Sequence, residues 1–403
     1  MTQYDDHIRV LMYSHDTFGL GHLRRTRAIA HALVEQHKQL TVLIISGSSI
    51  AGAFDLKARV DFIKIPSVIK LRNGDYTSMS DHIDISETLA MRRAIIESAA
   101  INFRPNIFIV DKEPRGLRGE LDPTLPRLSA MGCENVLGLR EVLDEPDVVR
   151  EQWTRQNAVA AVTDYYNRIW IYGSKDFYDP LSAVPLPIEV RARIEYVGFL
   201  ARTVPTTAYP AASNLPEKFT LITGGGGGDA AELMKQALAA KEYGGSKGLP
   251  FVMTLGPYMT VREKRKLRKR ARALDEVAIL DFDNQLEHLM SRASAVVAMG
   301  GYNTFCELMS FDKRALIVPR TKPRKEQLIR AMRATQHGLV TMLDQEAAAD
   351  PARLFAAIEA LPHQPTPSQS DYHLDLGGLE RLGRTIDEIK KRAGVRTKLV
   401  NVA

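Results

Sequence analysis

Three glycine-rich turns, with the histidines and carboxylates around them, carry the chemical signal of this sequence. Gly19 and Gly21 precede His22 where a helical stretch begins. Such a turn brings bare backbone N–H groups and a helix dipole up to an anion. It makes a poor dinucleotide fingerprint, because the third glycine is missing and residues 46–49 hold no acid for a ribose. Gly224, Gly225, Gly226, Gly227 and Gly228 run consecutively after another apolar strand pattern. A glycine run costs chain entropy unless the backbone has to be bare, so the alternatives are a second phosphate cradle and a flexible loop. No Lys-Ser/Thr pair follows, which excludes a nucleoside-triphosphate P-loop. The third turn has Gly300 and Gly301 closing a strand, Asn303 and Thr304 opening a helix, and Glu307 about one turn inside it. A carboxylate there can accept two hydrogen bonds from a ribose diol, or serve as a partner of the helix dipole.

Candidate bases lie at strand ends and turns of the first half: His15, Asp16, His22, Asp111 and Glu113. His22 starts a helix, whose positive end disfavours imidazolium and leaves a neutral ring able to take a proton; its other reading is to orient the loop. Asp281 and Asp283 make an Asp-x-Asp match, weak as a metal site because nothing else in the sequence suggests one. No metal and no cofactor is expected. Between Arg262 and Arg272, eight basic residues stand against one acid, Glu263. A solvated helix face is the ordinary reading, and a contact with an anionic membrane surface is the alternative.

The elements that would hold these residues alternate between short apolar strands and longer stretches of helical period, the mark of βα units on parallel sheets. Strands are predicted at 8–13, 41–46, 61–66, 107–111, 135–139 and 168–172, then at 219–223, 251–255, 277–282, 295–299 and 315–319. Helices are clearest at 22–36, 86–103 and 147–160. Residues 204–216 have linker composition, with Pro205, Pro210 and Pro216. Domains are therefore expected at 1–203 and 217–375. A second stretch rich in Pro, Gln and Ser at 362–370 precedes a helix near 379–391, and 376–403 are expected to pack back on the body. The fold class is α/β, two doubly wound Rossmann-like domains facing a cleft.

The chain has 403 residues, with 45% apolar and 25% charged, which excludes a disordered or fibrous chain and allows a large core. A net charge of +6 is too diffuse to argue for nucleic acid. Two cysteines, Cys133 and Cys306, cannot make a disulfide framework. No signal peptide is evident, and the uncharged run at 40–54 falls short of the ~20 residues a spanning helix needs. A cytoplasmic protein is expected, with any membrane contact peripheral.

Together these motifs resemble the GT-B glycosyltransferases, and within them family 28, the group that includes the lipid II-forming N-acetylglucosaminyltransferases; the nearest look-alikes are known as predicted glycosyltransferases. Gly21 and His22 match the family's first turn, and Gly224 to Gly228 match the loop that opens its C-terminal domain. The stretch from Leu280 and Phe282 through Gly300 and Gly301 to Glu307 matches its uracil and ribose contacts. The family's His-Gln pair, which reads donor-sugar hydroxyls, corresponds to Glu326 and Gln327, so only the glutamine agrees in type. The resemblance implies an enzyme that moves a hexosyl group from a UDP-sugar to an acceptor hydroxyl, inverting and metal-independent. It also implies a donor site on the C-terminal domain and a base among His22, Asp111 and Asp16, with Gly19 and Gly21 as an acceptor or phosphate loop. The acceptor could be lipid-linked or a polysaccharide glycan. A UDP-sugar epimerase or hydrolase on the same fold is an alternative, and so is a non-catalytic nucleotide-sugar-binding subunit of a polysaccharide-assembly complex.

Overall fold

The computed structural model describes residues 7–15, 20–70, 76–79, 82–206, 215–226, 230–281 and 285–400. The chain divides into two compact units: Met1–Leu200 with Asp375–Ala403, and Ala201–Leu374. The predicted linker at 204–216 lies for the most part outside the described residues.

The first unit opens with β1 (Ile8–Ser14), α1 (Gly21–Gln36), β2 (Leu40–Ser46) and β3 (Val60–Lys64). A short antiparallel pair, β4 (Val68–Lys70) and β5 (Tyr76–Ser78), stands apart from the main sheet. Next come α2 (Ile85–Phe103), β6 (Ile107–Asp111), α3 (Thr124–Ala130) and β7 (Glu134–Arg140). The first pass of the chain through this unit ends with α4 (Pro146–Arg155), α5 (Ala158–Tyr165), β8 (Arg168–Tyr172), α6 (Ile188–Arg191) and β9 (Ile194–Tyr196). Seven strands form one parallel sheet in the order β3-β2-β1-β6-β7-β8-β9. Every residue of β6 and β8 is buried, which is why these strands read as unbroken apolar runs rather than alternating ones. Strand order reverses between β1 and β6. In open α/β sheets, connections at such a reversal leave toward opposite faces, and ligands bind there at the strand C-termini.

The single helix predicted at 147–160 is two helices. Asn157 takes a left-handed conformation with φ 49° between α4 and α5, a geometry its short polar side chain tolerates and a helix interior does not.

The second unit contains β10 (Thr220–Thr223), α7 (Ala231–Gly244), β11 (Phe251–Thr254), α8 (Val261–Ala271), β12 (Val277–Leu280), α9 (Leu286–Arg292), β13 (Ala295–Ala298) and α10 (Tyr302–Ser310). It continues through β14 (Ala315–Ile317), α11 (Glu326–Gln336), β15 (Thr341–Met342), α12 (Gln345–Ala349) and α13 (Pro351–Ala360). Its six strands are parallel in the order β12-β11-β10-β13-β14-β15, so the reversal falls between β10 and β13. The stretch at 362–370 is ordered into 3-10 turns at Leu361–His363 and Pro367–Gln369, the second closed by a capping box on Thr366. Asp312 accepts from the Ser368 backbone N–H and hydroxyl, both at 2.7 Å, and ties this stretch to the unit.

The chain then returns to the first unit through α14 (Gly378–Val400), which packs on α1. Gln36 Nε2 donates to the Leu379 carbonyl and His37 Nε2 to that of Gly383, each at 3.2 Å, while Leu382 and Ile386 are fully buried. No helix among the described residues is long and apolar enough to cross a membrane.

Candidate active site

At the switch point of the first sheet, β1 ends in Ser14 and is followed by His15, α1 opens with Gly21 and His22, and β6 ends in Asp111. His22 Nδ1 and Asp111 Oδ2 are in close hydrogen-bond contact although 89 residues separate them. Asp111 also accepts from Arg25, which is 1% exposed and had no part in the reading of the sequence. Burial by itself raises the Asp111 carboxyl; the Arg25 charge and the bonds from His22 and Arg25 outweigh it and hold the group well below the usual carboxylate range. An ionised Asp111 has no proton to give, so the proton of that bond sits on His22 Nδ1 and Nε2 keeps its lone pair. Burial lowers the His22 value against the pull of Asp111, with the charges of Arg25 and Lys112 acting in the same direction as burial. The ring is thus a neutral base at pH 7, and its side chain keeps 17% of its surface exposed.

A second buried chain of bonds ends beside it. Arg92 holds both oxygens of Glu120, at 2.6 and 2.7 Å, and Tyr13 donates to Glu120 at 2.5 Å. The His15 ring is 5.7 Å from that of His22 and edge-on to it; burial keeps His15 well below its ordinary value. Glu113 is 6% exposed and paired with Lys112 at 2.8 Å. Asp16 and Gly19 lie outside the described residues.

In the second unit the turns after β10 and β13, neighbouring strands, come together. A Cβ on Gly224 would lie 2.0 Å from Ala230 Cβ, and one on Gly225 would come within 3.7 Å of Thr304 Oγ1, which brings the glycine run to the start of α10. Gly300 turns with φ +75°, and a Cβ there would meet Ile317 Cγ2 at 2.8 Å, so only glycine fits. The first turn of α10 contains no acid and its N-cap, Gly301, no side-chain cap, so the positive end of its dipole is directed at the loop. Glu307, in the second turn, is fully buried. Gly226 follows in the same turn, whereas Gly227, Gly228 and Phe282 lie outside the described residues.

Arginines that the sequence did not single out fix the remaining candidates. Arg202 donates to Asn303 Oδ1 at 3.0 Å, and Arg330 donates to the Gly300 carbonyl at 3.1 Å. Arg320 pairs with the buried Glu326 at 2.6 Å, and its backbone N–H donates to Gln327 Oε1 at 3.2 Å. The Gln327 oxygen keeps a second lone pair beside this bond, and its NH2 group has two donors. Asp281 is bound by Arg268 of α8, Asp283 lies outside the described residues, and no group of three or more metal-ligand side chains occurs among the described residues.

Residues 219–373 match the glycosyltransferase family 28 C-terminal domain. No curated protein matches the chain. Among solved structures, Medicago truncatula UGT71G1 complexed with UDP-glucose is 12% identical over 97% of this chain and 100% of its own, with a TM-score of 0.61. The calicheamicin glycosyltransferase CalG4 is 13% identical over 98% of both chains, with a TM-score of 0.54. The spinosyn forosaminyltransferase SpnP is 14% identical over 98% of this chain and 100% of its own, with a TM-score of 0.58. At these identities the likeness shows the fold, which is the GT-B arrangement of two Rossmann-like units. Family match and fold together support a glycosyltransferase.

Proposed function

We propose that the protein moves a hexosyl group from a UDP-sugar to an acceptor hydroxyl, with inversion and without a metal ion. The observation that carries this reading is the His22–Asp111 pair, an imidazole fixed with Nε2 as its basic edge at the switch point of the first sheet. His22 Nε2 takes the acceptor's proton, the acceptor oxygen bonds to the anomeric carbon, and the bond from that carbon to UDP breaks on the opposite face. Charge that grows on the departing phosphate is met by the backbone of the glycine run and by the positive end of α10. Glu307 is the candidate ribose ligand, and Gln327 with Glu326 the candidate sugar contacts. Medicago truncatula UGT71G1, complexed with UDP-glucose, supports the choice of donor class.

The acceptor is proposed to be lipid-linked or a polysaccharide glycan. On α8 and its C-cap Arg272, Arg268 and Arg270 pair with Asp281 and Glu242, while Arg262, Lys264, Arg265, Lys266, Lys269 and Arg272 make no ion pair among the described residues. A surface so charged suits an anionic membrane. Binding to anionic but not neutral vesicles, reversed by salt, is the expected result; indifference to anionic vesicles removes the membrane from the proposal.

The deciding experiment incubates the purified protein with UDP-sugars in the presence and absence of candidate acceptors. UDP release that needs acceptor and yields a glycosylated product is expected. Release or epimerisation without acceptor makes the protein a hydrolase or epimerase, and tight UDP-sugar binding with no turnover makes it a binding subunit.

A further inference from the structure

Arg25 is among the bulkiest side chains in the protein to be wholly buried. A cation so placed costs heavily in desolvation unless its partners are well arranged. It lies three residues beyond His22, on the same face of α1. Its Nε and Nη2 both donate to Asp111 Oδ1, at 2.9 and 2.5 Å, and Nη2 also reaches Oδ2 at 2.7 Å. The same Nη2 is 3.1 Å from His22 Nδ1. One guanidinium therefore touches both members of the pair.

Two physical consequences follow. With Oδ1 taken twice by the guanidinium, the carboxylate cannot rotate about its Cβ–Cγ bond, and Oδ2 stays directed at the imidazole. The guanidinium charge also offsets that of the carboxylate, so Asp111 can orient the ring without its full negative charge holding a proton there. We infer that Arg25 is the positioning residue of the His22–Asp111 pair, clamping the carboxylate so that the imidazole is held with Nε2 outward. Among the described residues, the other groups facing His22 are Lys112, which follows Asp111 and is paired with Glu113, and His15 just after β1. This role rests on His22 being the base of the proposed reaction.

The test follows the His22 imidazole by NMR through a pH titration, beside kcat and kcat/KM profiles, in the wild type, Arg25→Gln and Arg25→Lys. Arg25→Gln is expected to move the His22 midpoint and the acid limb of kcat/KM to higher pH by about one unit. It should also lower kcat roughly 10- to 100-fold through misorientation. Arg25→Lys keeps the charge but loses the fork, so the midpoint should stay near wild type while kcat remains low. A folded Arg25→Gln protein whose midpoint does not move overturns the inference and leaves Arg25 as a strut between α1 and β6. Should Arg25→Gln fail to fold, wild-type kcat in Arg25→Lys overturns the inference, and low kcat at an unmoved midpoint upholds it. If the wild type transfers no sugar, the proposed reaction falls alone, because the NMR midpoints still report whether Arg25 governs His22.

Discussion

Removing His22 and removing the charge of Asp111 should damage the protein in different ways, and the contrast tests the reading of the site. His22→Ala deletes a partly exposed ring and leaves the Arg25–Asp111 ion pair intact. Its cost in folding stability should be about 1 kcal/mol, that of one hydrogen bond. Losing a general base costs roughly 10²- to 10⁴-fold in rate, about 3 to 5 kcal/mol of transition-state stabilisation, with UDP affinity spared. Asp111→Asn keeps the shape but takes from Arg25, 1% exposed, the counter-charge that Asp111 supplies. A buried pair broken in this way costs roughly 3 to 5 kcal/mol of stability. The carboxamide can also donate to Nδ1, which moves the ring proton to Nε2 and blocks the base. Urea denaturation gives the stabilities, and acceptor-dependent UDP release gives kcat. A His22→Ala enzyme with more than about a tenth of wild-type kcat would refute His22 as the base. An Asp111→Asn protein as stable as wild type would refute the charge argument.

Glu307→Gln, which keeps the buried shape, should weaken UDP binding by about 1.5 to 3 kcal/mol in calorimetry; unchanged affinity in a folded variant takes Glu307 out of the site. Transfer activity is expected to survive EDTA, and loss restored by manganese would make Asp281 a ligand after all. Gly300→Ala forces a side chain onto Ile317 at positive φ and should cost about 1 to 3 kcal/mol, read from the urea midpoint, a result contradicted by wild-type stability. Burial holds His15 and His22 below the ordinary 6.5 and, with the charges of Arg27 and Lys57, takes His31 to about 4. The unfolded chain therefore binds more protons as pH falls below 6.5, so stability should be full above that pH and decline toward pH 4; stability that stays constant or increases as the pH falls would contradict it.

The parallel sheets were legible because strands such as β6 and β8, buried on both faces, must be written as unbroken apolar runs. His22 and Asp111 were legible one by one, since each ends or follows a strand pattern, but their contact was not, because it joins positions 89 residues apart. Arg25 looked like one more cation among Arg24 and Arg27 on a surface helix, and only the fold reveals that it points inward. The same holds for Arg202, Arg320 and Arg330, whose partners are set by tertiary placement. The break at Asn157 was hidden because 147–160 keeps helical composition throughout, and one left-handed residue leaves little mark on periodicity.

The return of the chain through α14 bears on how the protein is made. The Phe199 backbone N–H donates to the Asp375 carbonyl at 2.7 Å, and the Gly378 N–H to the Phe199 carbonyl at 3.0 Å, so the first unit is stitched from two pieces that flank the whole of the second. During synthesis, α1 and the sheet beneath it emerge early, yet the α1 face that receives Leu382 and Ile386 stays bare until some 180 further residues have left the ribosome. The second unit, in contrast, is one continuous stretch and can close its core first. A nascent chain stalled after the second unit would thus carry a finished second unit and an unfinished first one, with the apolar side of α1 open to chaperones. In cells, yield should depend more on the last helix than on any residue of the candidate site.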